Sequence, residues 1–308
     1  DRSYAEITRL SVMNALGVME ACMGLASSLE WAERTASHPS YMLNAVQTRM
    51  LYHLYQGNIH AADDCKRQAE KLRVQSLQLY ESSHLVWEIG AYTIAEDLTR
   101  LRHAIEACVS LGQRFGPWLA VQHFAGAEYH RIRRDPGRAL SGVETALALA
   151  EPGVHPLWAN IATTRVRVLG DLGRHTEAQA AAETYVELAQ RTDIGSSADP
   201  LWLALAVCRV RVHDDNAEAL VDDVIARYEV AGVSGLLLGA AHETRARIAL
   251  TRGDEAMFDR HAEACRAAYC GHRNSALLAK YKRLVQDAER KRNPVGPRLH
   301  ATPDSYSS

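Results

Sequence analysis

The stretch LGRHTEAQAAAETYVELA, residues 172–189, shows how this chain is built. Gly173 is a turn signal, and the residues that follow it favour an α-helix. Ala178 and Tyr185 lie seven residues apart, which is two helical turns, so both lie on one face of that helix. Because a small residue on this face lets another helix approach closely, the stretch predicts the second helix of a hairpin.

The same pattern recurs with a period of about forty residues. Turn signals 38 to 41 residues apart stand at Gly17, Gly57, Asp97, Asp135, Gly173, Asp214 and Gly253. Two columns of mostly small residues follow these signals: Cys22, Ala62, Ala104, Ala139, Ala178, Ala219 and Phe258, then Leu29, Ala69, Leu111, Ala146, Tyr185, Ala226 and Cys265. One hairpin cannot bury both of its faces, so such repeats must stack on their neighbours.

We therefore predict an all-α fold, a right-handed superhelical solenoid of about seven helical hairpins that ends near residue 271. Residues 274–291 place apolar side chains at helical spacing and charges on the other face, which predicts a C-terminal capping helix. The predicted solenoid domain spans residues 1–292. Residues 293–308 contain three Pro and several small polar residues, and we expect a flexible tail there.

Three segments resemble the second half of tetratricopeptide repeats (TPR). They are residues 57–72 (GNIHAADDCKRQAEKL), 134–153 (RDPGRALSGVETALALAEPG) and 172–189. The period is nearer forty residues than the thirty-four of that family. The closing segment, AYCGHRNSALLAKYKRLVQDAERK (268–291), is similar to the ends of divergent repeat arrays in large bacterial signalling proteins.

The signalling proteins that carry such arrays are serine/threonine kinases or cyclases with a STAND-type ATPase, and maltose-activator-type regulators. The resemblance covers residues 1–292 and implies a sensing or scaffolding role, with catalysis in other domains. We therefore expect a non-catalytic domain that binds a protein, a peptide or another ligand and regulates attached signalling domains. The alternative is a structural or oligomerisation module with no diffusible ligand.

Composition narrows the range of partners. The formal net charge is −2, so no global field would attract nucleic acid. No apolar run approaches the roughly 20 residues of a membrane span. The N-terminus lacks a signal-peptide pattern, and the six Cys are scattered as in a cytosolic protein. We expect a cytoplasmic protein cut from a longer chain, with a protein or peptide partner or sister domains, and with oligomers an open alternative.

Four consecutive first helices carry Arg-x-Arg, and these pairs are candidates for a ligand groove. The pairs are Arg131/Arg133, Arg165/Arg167, Arg209/Arg211 and Arg245/Arg247. Forked guanidinium groups suit a carboxylate or a phosphate. However, residues i and i+2 point about 200° apart around a helix, so at most one of each pair can face the groove. The other interpretation is that these arginines pair with carboxylates of nearby second helices.

Two further sets of residues deserve separate interpretations. Trp158 and Trp202 follow Pro near predicted helix starts, where each either packs between hairpins or anchors a partner in the groove. His261, Cys265, Cys270 and His272 offer two imidazoles and two thiols, the donor types of a zinc site. Cys265 also belongs to a packing column, and the spacing matches no established zinc module. We expect no metal and no cofactor, and no enzyme motif occurs in the sequence.

Overall fold

The computed structural model describes residues 2–76, 83–211 and 216–293, and every regular element in these ranges is a helix. The α-helices are α1 (Arg2–Cys22), α2 (Ser27–Ala36), α3 (Met42–Tyr55), α4 (Ile59–Ser76), α5 (Ser83–Ala95), α6 (Leu98–Gly112), α7 (Trp118–Ile132), α8 (Pro136–Leu149), α9 (Trp158–Asp171), α10 (His175–Arg191), α11 (Asp199–Arg211), α12 (Ala217–Ala231), α13 (Leu236–Arg252), α14 (Glu255–Cys270) and α15 (Ser275–Arg292). No helix within these ranges combines the length and the apolar character that crossing a bilayer requires.

Consecutive helices pack in pairs, from α1 with α2 to α13 with α14, and α15 packs on α14. The described residues thus form seven hairpins and a terminal helix, which confirms the predicted helical-repeat architecture. The terminal helix begins one residue later than predicted because Asn274 is its N-cap. The Asn274 side chain accepts hydrogen bonds from the backbone N–H groups of Ala276 and Leu277.

Most of the predicted turn signals end or begin helices as expected. Gly57, Gly173 and Gly253 have positive φ in the turns of their hairpins. Asp97 and Asp135 are N-caps whose carboxylates accept hydrogen bonds from the backbone N–H three residues later. The signal at Asp214 and the tail from residue 294 onward lie outside the described residues.

The prediction of a turn at Gly17 is wrong, because Gly17 lies inside α1. A Cβ at this position would stand 3.0 Å from Cβ of Trp31 and 3.3 Å from Cγ2 of Thr48. Gly17 therefore allows close packing of α1 against α2 and α3. The first hairpin turns at residues 23–26 instead, so Cys22 ends α1 and does not begin a packing column.

The packing columns are buried in α4, α8 and α14, where both members are covered. In α12 the predicted register is wrong by two residues. Ala219 and Ala226 are exposed, whereas Ala217 and Val224 are fully buried. The reason is that the apolar stripe of α12 contains Val224 and other large side chains, and these decide which face meets the core.

The solenoid bends until its early and late hairpins touch, along a line of contact that we call the seam. Gln56 Nε2 donates hydrogen bonds to the Gly24 carbonyl (2.7 Å) and to Ser234 Oγ (2.6 Å). Gly235 has φ +67°, and a Cβ there would stand 2.2 Å from the carbonyl oxygen of Tyr55. Only glycine allows this approach between the second hairpin and the start of α13.

The terminal helix α15 extends the seam. Asn274 Nδ2 donates a hydrogen bond to the Gly57 carbonyl at 3.3 Å. Lys280 Nζ donates to the carbonyl of Ile94 at 2.8 Å, and α13 also packs on α5. Contacts along the seam enclose the concave surface of the solenoid. The structure therefore has a cavity surrounded by first helices where an open groove was expected.

Candidate functional site

A cavity with two chambers occupies the interior of the closed solenoid. The apolar chamber is lined mainly by the first helices α1, α5, α7, α9, α11 and α13, with apolar walls at Met19, Met23, Trp87, Phe124, Leu157 and Leu237. The basic chamber has cations at Arg131, Arg134, Arg167, Arg211, Arg247 and Lys280, and acids at Glu96, Asp171 and Glu243. The chambers have volumes of about 150 and 320 Å³, and ligand sites span roughly 300–1,000 Å³.

The two chambers meet at a waist, so they form one continuous cavity. Five residues line both chambers: Thr93, Ile94, Arg167, Leu203 and Ala240. They come from α5, α9, α11 and α13, the helices on opposite sides of the cavity. An occupant that spans the waist would therefore have one part in apolar and one part in basic surroundings.

The division of each Arg-x-Arg pair between two faces, which helical geometry predicts, occurs in the structure. Arg167, Arg211 and Arg247 are the second members of their pairs and line the basic chamber, as does Arg131. By contrast, Arg133 is exposed and lies over the ring of Tyr129.

The first members of the later pairs lie away from the cavity. Arg165 Nη2 lies 3.3 Å from Glu177 Oε1 of α10. Arg245 is buried, and its Nε donates to Asp222 Oδ1 of α12 at 2.9 Å. Arg209 is half-buried and does not line either chamber. Salt bridges to second helices therefore account for Arg165 and Arg245, but not for Arg167.

Arg167 has no internal partner. Within the part of the chain that the structure describes, its guanidinium forms no hydrogen bond and no ion pair. Its side chain is solvent-accessible, although protein surrounds it at the waist. Burial lowers the pKa of Arg167, and the nearby charge of Arg131 lowers it further. A cation without a hydrogen-bond or ion-pair partner is thus presented to the cavity.

Two other cations of the basic chamber are held by a buried carboxylate of α13. Glu243 Oε2 accepts hydrogen bonds from Lys280 Nζ at 2.8 Å and Tyr269 Oη at 3.0 Å, and Oε1 accepts from Arg247 at 3.1 Å. These cations outweigh the effect of burial and lower the pKa of Glu243 to about 2. Arg247 also pairs with Asp287 of α15 at 3.3 Å, so both cations have anionic partners within the protein.

Arg131 is neutralised in the same way by Glu128 of α7. Glu128 is buried and accepts bidentate hydrogen bonds from Arg131 Nε and Nη2 at 3.0 and 2.8 Å. The hydroxyl of Thr164 donates to the same carboxylate at 2.6 Å. The pKa of Glu128 is lowered, because its cationic and hydroxyl partners outweigh the opposing effect of burial.

The tryptophans chosen from the sequence do not line the cavity. Trp158 is buried and makes an edge-on contact with Tyr185, at 6.0 Å between ring centroids. Trp202 is half-buried and packs against the hydrophobic core. Trp87 of α5 lines the apolar chamber instead. Its only sequence signal was a position in a first helix, which does not determine the direction of its side chain.

The four candidate metal-binding residues are not brought together as a metal centre. His261 is buried, and its Nδ1 lies 3.0 Å from Nδ1 of His242. Burial and the neighbouring imidazole lower the pKa of His261 to about 4. Cys265 is buried in the core, whereas His272 is exposed. In the described ranges no group of three or more His, Cys, Asp or Glu could hold a metal ion.

The outer face of the N-terminal helix forms a second surface feature. Tyr4, Val12 and Leu16 of α1 are exposed and line an open groove that ends at Trp31. These side chains follow helical spacing and make a continuous apolar stripe. Terminal repeats of solenoids usually have a polar outer face. An exposed apolar stripe in this position is typical of a surface that contacts another protein.

Comparison with known proteins supports the fold. No protein family model matches the sequence, and no curated protein matches it. The structure of a Rap protein complexed with competence and sporulation factor resembles this chain with a TM-score of 0.55 and 10% identity, over 92% of this chain and 87% of that chain. The apo form of RapI has a TM-score of 0.46 and 10% identity, over 91% and 85%. The likeness to the complexed Rap protein shows that this chain has a TPR-like helical-repeat fold.

Proposed function

We propose that this chain is a non-catalytic regulatory domain that binds a peptide or an extended protein segment in its central cavity. The observation that carries this proposal is the waist, where an unpaired Arg167 separates an apolar chamber from a basic one. A solenoid needs its first helices to pack on its second helices, but it does not need an unpaired cation inside. The Rap protein of similar fold was crystallised with a bound factor, which also favours a binding role.

The enclosing seam provides a route from binding to regulation. Walls of the cavity come from both sides of the seam, with Trp87 of α5 on one side and Leu237 of α13 on the other. An occupant that contacts both walls stabilises the closed curvature of the solenoid. A change in curvature would reach attached kinase, cyclase, ATPase or DNA-binding domains of a larger bacterial cytoplasmic protein.

The test is whether ligand capture depends on the cavity. A phage library that displays random peptides with free C-termini is panned against the purified chain and against Ala240→Trp, which fills the waist. The control is Ala180→Trp, because Ala180 is exposed on α10, away from the cavity. We expect enrichment on the wild type and on the control, and none on Ala240→Trp. Equal enrichment on all three proteins would contradict binding in the cavity.

The exposed apolar stripe of α1 favours the alternative, a structural or oligomerisation module. In that case Tyr4, Val12 and Leu16 are covered by another copy of the chain or by a sister domain. Sedimentation equilibrium separates the two proposals. Concentration-dependent association that Leu16→Glu abolishes, together with no peptide enrichment, would favour the assembly role.

A further inference from the structure

We infer that the occupant is a short apolar peptide whose carboxylate pairs with Arg167 while its apolar side chains fill the apolar chamber. This inference rests on the proposed function and adds the chemical class and the orientation of the ligand. The carboxylate is a free C-terminus, and the remainder of the peptide extends from the waist towards Trp87 and Leu157. The evidence lies in one stripe of α9.

Four polar residues of α9 line the apolar chamber on one helical face. Asn160, Thr163, Thr164 and Arg167 are spaced three, four and seven residues from the first of them, so their side chains share that face. They form a polar line from the apolar chamber to the waist. Other walls of the chamber supply the apolar side chains Met23, Trp87 and Leu237, together with the smaller polar residues Thr93, Ser196 and Ser197.

Three of these side chains lack partners. The Thr163 hydroxyl is buried, with 2% of the residue exposed, and makes no hydrogen bond. The side-chain amide of Asn160 makes none within the described residues, and Arg167 has no ion pair there. A buried polar group without a partner destabilises the protein, because it loses its hydrogen bonds to water and gains none in return. By contrast, Thr164 is already engaged with Glu128. The free groups are therefore those that a ligand can satisfy.

The anion is assigned to Arg167 because, of the five described residues that line both chambers, it alone is charged. Arg134 and Arg211 line only the basic chamber, and the other three cations of that chamber have carboxylate partners. Glu128 holds Arg131, and Glu243 holds Lys280 and Arg247. Asp171 lies one turn beyond Arg167 on α9 but forms no ion pair with it. A carboxylate matches the planar fork of a guanidinium with two parallel hydrogen bonds.

A peptide fits the stripe better than a simple acyl chain. The amide of Asn160 carries both a donor and an acceptor, which matches the N–H and C=O of one peptide unit. The Thr163 hydroxyl can donate to or accept from a second unit. Apolar side chains of the peptide then contact Met23, Trp87 and Leu237 across the chamber.

The test uses three pools of N-acetylated hexapeptides randomised among Ala, Val, Leu, Met and Phe. One pool ends in a carboxylate, one in a carboxamide, and one in a carboxamide with a single internal Glu. Retention on the immobilised chain is measured by mass spectrometry. We expect the carboxylate pool to be retained roughly 10- to 100-fold better than the carboxamide pool, because a charge-assisted hydrogen bond contributes that much. In Arg167→Met the difference disappears, and in Arg165→Met, which alters an arginine outside the cavity, it persists.

Each outcome of this experiment supports or overturns a different part of the inference. Equal retention of the carboxylate and carboxamide pools would overturn the assignment to Arg167 and leave binding in the cavity intact. Preference for the internal-Glu pool would overturn the C-terminal orientation. If no pool binds, the inference fails, and the phage selection decides whether the proposed function fails with it. A last arm uses dodecanoate, and binding of this fatty acid that depends on Arg167, without binding of peptides, would replace the peptide by an acyl carboxylate. The Arg167→Met substitution breaks no internal ion pair or hydrogen bond among the described residues, so we expect this variant to fold. Circular dichroism verifies its folding.

Discussion

At the scale of single residues, the position of each arginine on its helix decides whether it is bound internally. Arg165 and Arg167 are two residues apart on α9, yet the first pairs with Glu177 and the second faces the cavity. Helical geometry predicts that such a pair is divided between two faces. Which member faces inward depends on the rotation of α9 against its neighbours, which only the packed structure defines.

Glu243 is the residue whose replacement should cost most stability. Glu243→Gln removes the charge that holds Lys280 and Arg247. It leaves the buried Lys280 without its anion, whereas Arg247 keeps its ion pair with Asp287. We expect a loss of about 3–5 kcal/mol in the free energy of unfolding, the usual cost of breaking a buried pair. Urea unfolding at pH 7 measures this loss.

The control for that measurement is Glu263→Gln. Glu263 is exposed and hydrogen-bonds Arg266 on its own helix, so its replacement should leave the unfolding midpoint unchanged. Equal effects of the two substitutions would show that the Glu243 network does not stabilise the seam and the terminal helix.

At the scale of the elements, glycine has two roles that look alike in the sequence. Gly57 ends a helix with positive φ, whereas Gly17 lies within α1 and allows close packing. Both positions fit the forty-residue period, so the period placed a turn where a helix continues. The side chains of Trp31 and Thr48, which make Gly17 necessary, lie in other helices and are not visible in the local pattern.

Glycine-to-alanine substitutions inside helices should change the free energy of unfolding in opposite directions, depending on the space around the glycine. Gly126 lies inside α7, and a Cβ there would meet nothing within 4 Å. Gly126→Ala should raise the free energy of unfolding by about 1 kcal/mol, because alanine has the higher helix propensity. Gly17→Ala should lower it, because overpacking against Trp31 costs about 1–3 kcal/mol. Thermal and urea unfolding measure both, and stabilisation by Gly17→Ala would show that α1 can move away from α2.

At the scale of the whole molecule, closure of the solenoid converts a concave surface into a cavity. The contacts that close it join residues far apart in the chain, such as Gln56 with Ser234 and Lys280 with Ile94. Each is a single polar contact that leaves no periodic signal. Enclosure also raises the effect of each charge inside, because an unpaired cation is less screened there than on an open groove.

Gly235→Ala should open the seam. A Cβ at this position would collide with the carbonyl of Tyr55, so α13 must move away from the second hairpin. We expect a larger radius of gyration in small-angle X-ray scattering with unchanged helical circular dichroism. The matched control is Gly173→Ala, because Gly173 also has positive φ (+75°) but a Cβ there would meet nothing within 4 Å. An unchanged radius of gyration in Gly235→Ala would mean that the seam does not hold the solenoid closed.

The sequence by itself determined the helical class, the period, the number of hairpins and the terminal helix. These features follow from short-range rules, since turn residues, N-caps and positions seven apart act within one or two helical turns. Only the tertiary structure decided the register of α12, the closure at the seam, and the choice of Arg167 and Trp87 as cavity residues. Those features depend on how helices rotate and approach one another across more than a hundred residues, and packing of side chains from distant repeats decides them.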